Sequence, residues 1–225
     1  MKKRRNHCDS HVNVQSLLIS TITKQNQYAV SFFGVYKPET ISNGDLIKMR
    51  GDKWSNLFSL PIFNPQKDVT FRLWHNSLLT FKVAVKMGLC SSEDCPFCPV
   101  SKPNSFHMVH CASTQQFWVF LFELIKSMGI ADKGDKLKGF EKSKTGNFLI
   151  SLAHTVIYNR VLYYINSSSI EFDLIKSFKQ RLSEHLVLDF GRMNKSENGI
   201  ELFNVRWNNG AGLFQIIDKQ LVIIL

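Results

Sequence analysis

The chain has 225 residues, 44% of them hydrophobic and 20% charged, with a formal net charge of +10 and an isoelectric point near 9.4. This composition excludes a disordered chain, supplies apolar material for one ordinary domain or two small ones, and favours contact with a polyanion. No run is long and apolar enough to span a membrane, since the longest, residues 117–125, is short and carries Glu123.

The first residues, including Lys2, Lys3, Arg4 and Arg5, are followed by Asn6, His7, Cys8 and Asp9 rather than an apolar run. The basic tetrad therefore reads as a nuclear address, a phosphate contact or a solvated terminus, and not as a secretory signal. Residues 1–49 form a poorly defined segment, with an apolar run at 14–22, a β-like run at 28–36 and a turn at Ser42-Asn43-Gly44-Asp45. An aromatic-rich stretch with Trp54, Leu57, Phe58 and Leu60 follows, broken by Pro61 and Pro65. A helix is then predicted from Asp68, as N-cap, to Gly88, its stop. Its apolar positions Phe71, Trp74, Leu78, Phe81 and Val85 recur at steps of three and four.

Residues 89–111 read as a loop rich in cysteine and proline. A second helix is expected over 113–128, with Phe117, Trp118, Leu121, Phe122 and Ile125. A polar stretch, 131–145, divides a helix–knuckle–helix module at 50–130 from a helical tail at 146–225. The tail holds a third helix over 146–166 and a fourth over 170–193. Phe172, Ile175, Phe178, Leu182, Leu186 and Phe190 share one face of the fourth, and residues 194–199 break it. Two strands, 213–217 and 221–225, close as a hairpin about Asp218-Lys219. The expected fold is mostly α: helices packed around a small zinc-knuckle loop, with a short C-terminal β-hairpin.

Of the five cysteines, Cys8 stands alone and four lie between Cys90 and Cys111. An odd count with one tight cluster fits a metal site in a reducing compartment, nucleus or cytoplasm, better than a disulfide framework. The informative run is Cys95-Pro96-Phe97-Cys98, eight residues, His107, three residues, then Cys111. The turn between Cys95 and Cys98 points both sulfurs inward, and a His and a Cys one helical turn apart supply the other half of a tetrahedron. A closed set of four N and S ligands implies one structural zinc ion, with no open position for a catalytic water. Cys90 and His110 are alternates. Adjacent His110 and Cys111 do not readily reach one ion from regular structure, so His107 is the better partner of Cys111. His75 and His154 fall in helical patterns and read as ordinary surface or core histidines. An ion in so short a loop is a fold determinant worth on the order of 10 kcal/mol.

The run from Phe71-Arg72-Leu73-Trp74-His75-Asn76-Ser77-Leu78-Leu79-Thr80 through Val85-Lys86-Met87-Gly88-Leu89, Cys95-Pro96-Phe97-Cys98, Phe106-His107-Met108-Val109-His110-Cys111 and Phe117-Trp118 resembles the zinc-binding region that follows the reverse transcriptase of LINE-type non-LTR retrotransposons. Residues 149–160, the long helix ending in Asp189-Phe190, the terminal Leu221-Val222 and the lead-in at 54–60 are similar to flanking parts of that region, so the resemblance covers residues 50–225. One departure is the His107–Cys111 spacing, three residues where the family has four, which leaves open which His binds.

The resemblance implies a non-catalytic module that helps a polyprotein hold RNA or DNA, with little sequence specificity. The family's polymerase needs paired aspartates to hold two metal ions, and the chain has no Asp-Asp pair. Candidate phosphate contacts are Lys82, Lys86, Lys102, Lys179, Arg181 and Arg206. Other readings are a host zinc-binding module for a protein partner and an inert truncated retroelement fragment. An enzyme built on Cys111 and His110 lacks a third orienting group. The sequence does not specify an oligomeric state.

Overall fold

The computed structural model describes residues 57, 59–60, 64–100, 103–130, 134–140, 143–207 and 212–224, all within the compact unit Ile47–Leu225. The readings of residues 1–49, of Trp54 and Phe58, and of Lys102 lie outside the described residues.

Helix α1, Asn64–Trp74, begins earlier than the Asp68 start expected from sequence. Pro65 stands in its first turn, where a missing N–H costs nothing. Asp68 is inside the helix and pairs with Arg72 one turn on, at 2.9 Å. The predicted helix to Gly88 is in fact two helices. Asn76 adopts a left-handed backbone (φ 51°), and the Ser77 N–H and hydroxyl both return to the Arg72 carbonyl, at 2.8 and 3.1 Å. Thr80 then caps helix α2, Phe81–Lys86, by accepting from the Val83 N–H. Polar side chains that bond nearby backbone groups compete with helix continuation, and here Asn76, Ser77 and Thr80 win over an apolar stripe that fits a helix. Gly88, with φ 70°, ends α2 as expected.

Within the predicted loop, Asn104 caps a further short helix, α3, Ser105–His110. A 3₁₀ turn, Ala112–Thr114, leads into α4, Gln115–Ser127. Helix α5, Lys144–Ser167, is capped by Ser143 and is the centre of the molecule. Residues 148–158 are all buried, as expected of a helix covered on every side. Helix α6, Leu174–Met193, starts later than predicted because Asp173 caps it, accepting from the Lys176 N–H at 2.9 Å. After the break at 194–198 comes a helix the sequence reading lacked, α7, Gly199–Trp207. Strands β1, Phe214–Ile217, and β2, Gln220–Ile223, pair antiparallel with Ile217 opposite Gln220. Asp218 and Lys219 both have positive φ (49° and 62°), the geometry of a two-residue turn matched to strand twist.

Helix α5 packs on α1 and α6, and α6 on α7. One hydrophobic core runs from Leu57 to Phe214 and includes Phe140 of the polar stretch 131–145. Aromatic rings meet edge-on at Phe117–Phe178 (5.6 Å), Phe148–Trp207 (5.1 Å) and Phe203–Phe214 (5.0 Å). Each fully buried ring contributes about 1.5–3 kcal/mol through lost water contact. Buried polar pairs fix how α1 seats on its neighbours. The Thr70 and Ser151 hydroxyls are 2.6 Å apart, and Gln66 Nε2 donates to His185 Nε2 at 2.8 Å.

Candidate metal centre

Cys95 and Cys98 flank a tight turn that begins where the Cys95 N–H donates to the Val100 carbonyl, 3.1 Å. His107 is carried by α3. Cys111 follows that helix with φ −55° and ψ 137°, so the chain leaves the helical path there and Cys111 Sγ can turn back beside Cys95. The donor atoms of Cys95, Cys98, His107 and Cys111 all lie within 4.8 Å of one another. Cys95 Sγ is 3.9 Å from Cys111 Sγ, and Cys98 Sγ is 3.3 Å from His107 Nε2. Tetrahedral coordination with ligand bonds of 2.0–2.3 Å requires S–S edges of about 3.8 Å and S–N edges of about 3.5 Å. The cluster therefore fits an ion, and the three-residue spacing is no obstacle, because the exit of Cys111 from α3 takes up the shorter connection.

Cys95 and Cys111 are buried and titrate as a pair. The hydrogen bond between the thiols, helped by burial, pushes Cys95 up. The same bond lowers Cys111 against its own burial, and Ser113 adds to the lowering. The pair gives up one proton easily and holds the second, which a cation would displace.

The knuckle is tied to the core through Phe97, whose ring centroid is 6.3 Å from Phe81 of α2 and 5.6 Å from Tyr164 of α5. The other side is tied by Trp118 of α4, whose indole N–H donates to the Val109 carbonyl at 2.7 Å. Thr114 Oγ1 donates to the Cys111 carbonyl at 2.8 Å. Asn76 Oδ1 accepts from the Ser105 N–H at 3.0 Å, so the elbow between α1 and α2 holds the start of α3.

The alternates stand apart from this set. The half-buried Cys90 thiol donates to the carbonyls of Phe81 and Ser92, at 3.8 and 3.6 Å, and His110 is exposed. His75 is exposed, with Nδ1 2.8 Å from the Phe71 carbonyl. His154 is buried, and its Nε2 donates to the Lys136 carbonyl at 2.7 Å. Burial pushes its pKa down to about 4. Two residues beside the centre had no signal in the cysteine spacing. Ser113 Oγ lies 3.0 Å from Cys111 Sγ, and Arg160 of α5 donates to Ser113 Oγ at 3.0 Å.

The proposed phosphate contacts stand on three helices. Lys82 and Lys86 are on α2, the first half-buried and the second exposed. Lys179 and Arg181 are half-buried on α6, and Lys179 Nζ lies 5.6 Å above the Phe120 ring. Arg206 of α7 is exposed and donates twice to Asp189, at 2.8 Å each. Among the described residues no helix is long and apolar enough to cross a membrane.

No protein-family model, curated protein or solved structure matches the chain.

Proposed function

We propose that Cys95, Cys98, His107 and Cys111 hold one structural zinc ion, and that the chain is a non-catalytic module of the kind found after LINE-type reverse transcriptases, working inside the cell on RNA or DNA. The observation that carries this reading is the convergence of four donor atoms within 4.8 Å. Three thiolates and one imidazole favour zinc over harder cations, and a closed set of four favours structure over catalysis. The quoted resemblance and the net charge of +10 support nucleic acid as the partner.

Metal content per full chain, alongside a Cys95→Ser, Cys98→Ser double variant, tests the site. About one zinc per chain and none in the variant is the expected result. A folded wild-type chain without zinc would sink it. Salt-titrated binding of RNA and DNA oligonucleotides tests the partner, with affinity falling steeply and linearly on a log–log plot. A host protein-interaction module is the second reading, favoured by the exposed apolar side chains Leu202 and Val205 on α7. Partner binding that ignores salt would select it.

A further inference from the structure

We infer that Arg160 is the positioning and charge-compensating residue of the metal centre, acting on Cys111 through Ser113. This rests on the metal reading above. Three thiolates and a neutral imidazole around a divalent ion leave one net negative charge. A cation placed beside the sulfurs offsets it, and Arg160 is placed there. Its guanidinium lies 3.8 Å from the ring centroid of Phe97, one of the two residues between the knuckle cysteines. One amino group donates to Ser113 Oγ at 3.0 Å. Ser113 Oγ is in turn 3.0 Å from Cys111 Sγ, where its hydroxyl proton can point at the sulfur. The chain arginine–serine–thiolate thus crosses from α5 to the ligand set.

Two further facts set Arg160 apart from an ordinary surface arginine. Among the described residues no carboxylate forms an ion pair with it, and its Nε is buried with no hydrogen-bond partner. A half-buried cation with no carboxylate partner costs free energy unless an anion lies near. Burial lowers its pKa, and Cys111 and then Cys95, when charged, oppose that lowering. The Phe97 face adds a cation–π contact, so the planar guanidinium stacks on the knuckle while bonding to Ser113. Lysine has no plane to stack and cannot reproduce this geometry.

The test uses the full chain, with zinc affinity measured by competition against a chelator and the thiolate-to-metal absorption band followed after cobalt substitution. Arg160→Met keeps an unbranched apolar stem against Phe97 and removes the charge. It is expected to weaken zinc about 10- to 100-fold, as loss of a partner to a metal ligand does, with helix content unchanged by circular dichroism and the cobalt band shifted. Arg160→Lys is expected to recover part of the affinity at low salt and lose it as salt rises. Ser113→Ala breaks the bridge without touching the stack and carries the test if Arg160→Met does not fold, with weaker zinc binding and a shifted band again expected. Wild-type affinity with an unmoved band in the folded variants overturns the inference while leaving the metal reading intact. A wild-type chain that takes up neither zinc nor cobalt overturns both.

Discussion

Two regions of the molecule reach a fixed structure by different physics. Around the candidate metal centre, the described residues of 89–100 and 103–111 form mostly irregular backbone, and the helices there, α2 and α3, have six residues each. Helices that short do not persist alone in water. They are held by caps, by Phe97 and Trp118, and by four side chains that converge on one point. Across the body of the molecule, α5, α6, α7 and the hairpin meet through fully buried rings such as Phe178, Phe203, Trp207 and Phe214. On the metal reading proposed above, the first region's structure is conditional on an ion, whereas the second depends on area withdrawn from water. A chain can therefore lose one without at once losing the other.

The largest effect expected is from removing the metal. Chelation, or Cys98→Ser, should strip hydrogen-exchange protection from residues 95–111 while α5 and α6 keep theirs. Simultaneous collapse of α5 would show that the two regions are one cooperative unit. Phe178→Ala works from the other side. Its ring is fully buried against Phe117 and Phe120, so urea unfolding should lose about 3–5 kcal/mol with metal content unchanged.

Acid gives a contribution of similar size from His154. Burial lowers its folded pKa to about 4 from the ordinary histidine value of 6.5, so the unfolded chain binds the extra proton between those values. Stability is then fully present above pH 6.5 and falls by about 3 kcal/mol as pH drops to 4. His154→Gln in a Cys95→Ser background, where an intact ligand set no longer contributes, should flatten that slope. An unchanged slope would place the acid sensitivity elsewhere. The smallest effect belongs to Asp68→Asn. The pair with Arg72 is one helical turn apart and partly exposed, and its loss should cost about 0.3–0.5 kcal/mol in thermal unfolding.

The clustering of Cys95, Cys98, His107 and Cys111 was legible in the sequence because metal geometry constrains spacing and the four are close in the chain. Helices α4 and α5 and the hairpin were legible too. The apolar stripe of α4, the long apolar stretch of α5 and the Asp218-Lys219 turn agree with local backbone preference. Periodicity misled at residues 75–80, where Leu78 and Phe81 keep the helical stripe and are buried, yet Asn76 turns the chain. Phe71, expected on the inner stripe, is 37% exposed. Helix α3 is too short and polar to show a period, although Asn104 was a usable start signal. Helix α7 carries Phe203 and Trp207 one turn apart, a signal too brief to stand out after the break. Arg160 could not be read from the cysteine spacing, because its bond to Ser113 is made by folding across 47 residues, and Ser113, near Cys111 in the chain, has no place in the ligand spacing.

The elbow at Asn76 has a thermodynamic consequence. Its side chain accepts from the first N–H of the helix that carries His107. Whatever holds that helix in place also raises the fraction of molecules ready to take the ion, and apparent affinity scales with that fraction. Linkage works in both directions, so a bound ion tightens the elbow as much as the elbow tightens the ion. If the proposed site takes its ion, occupancy becomes a report on the elbow between α1 and α2, which supplies none of the four donor atoms.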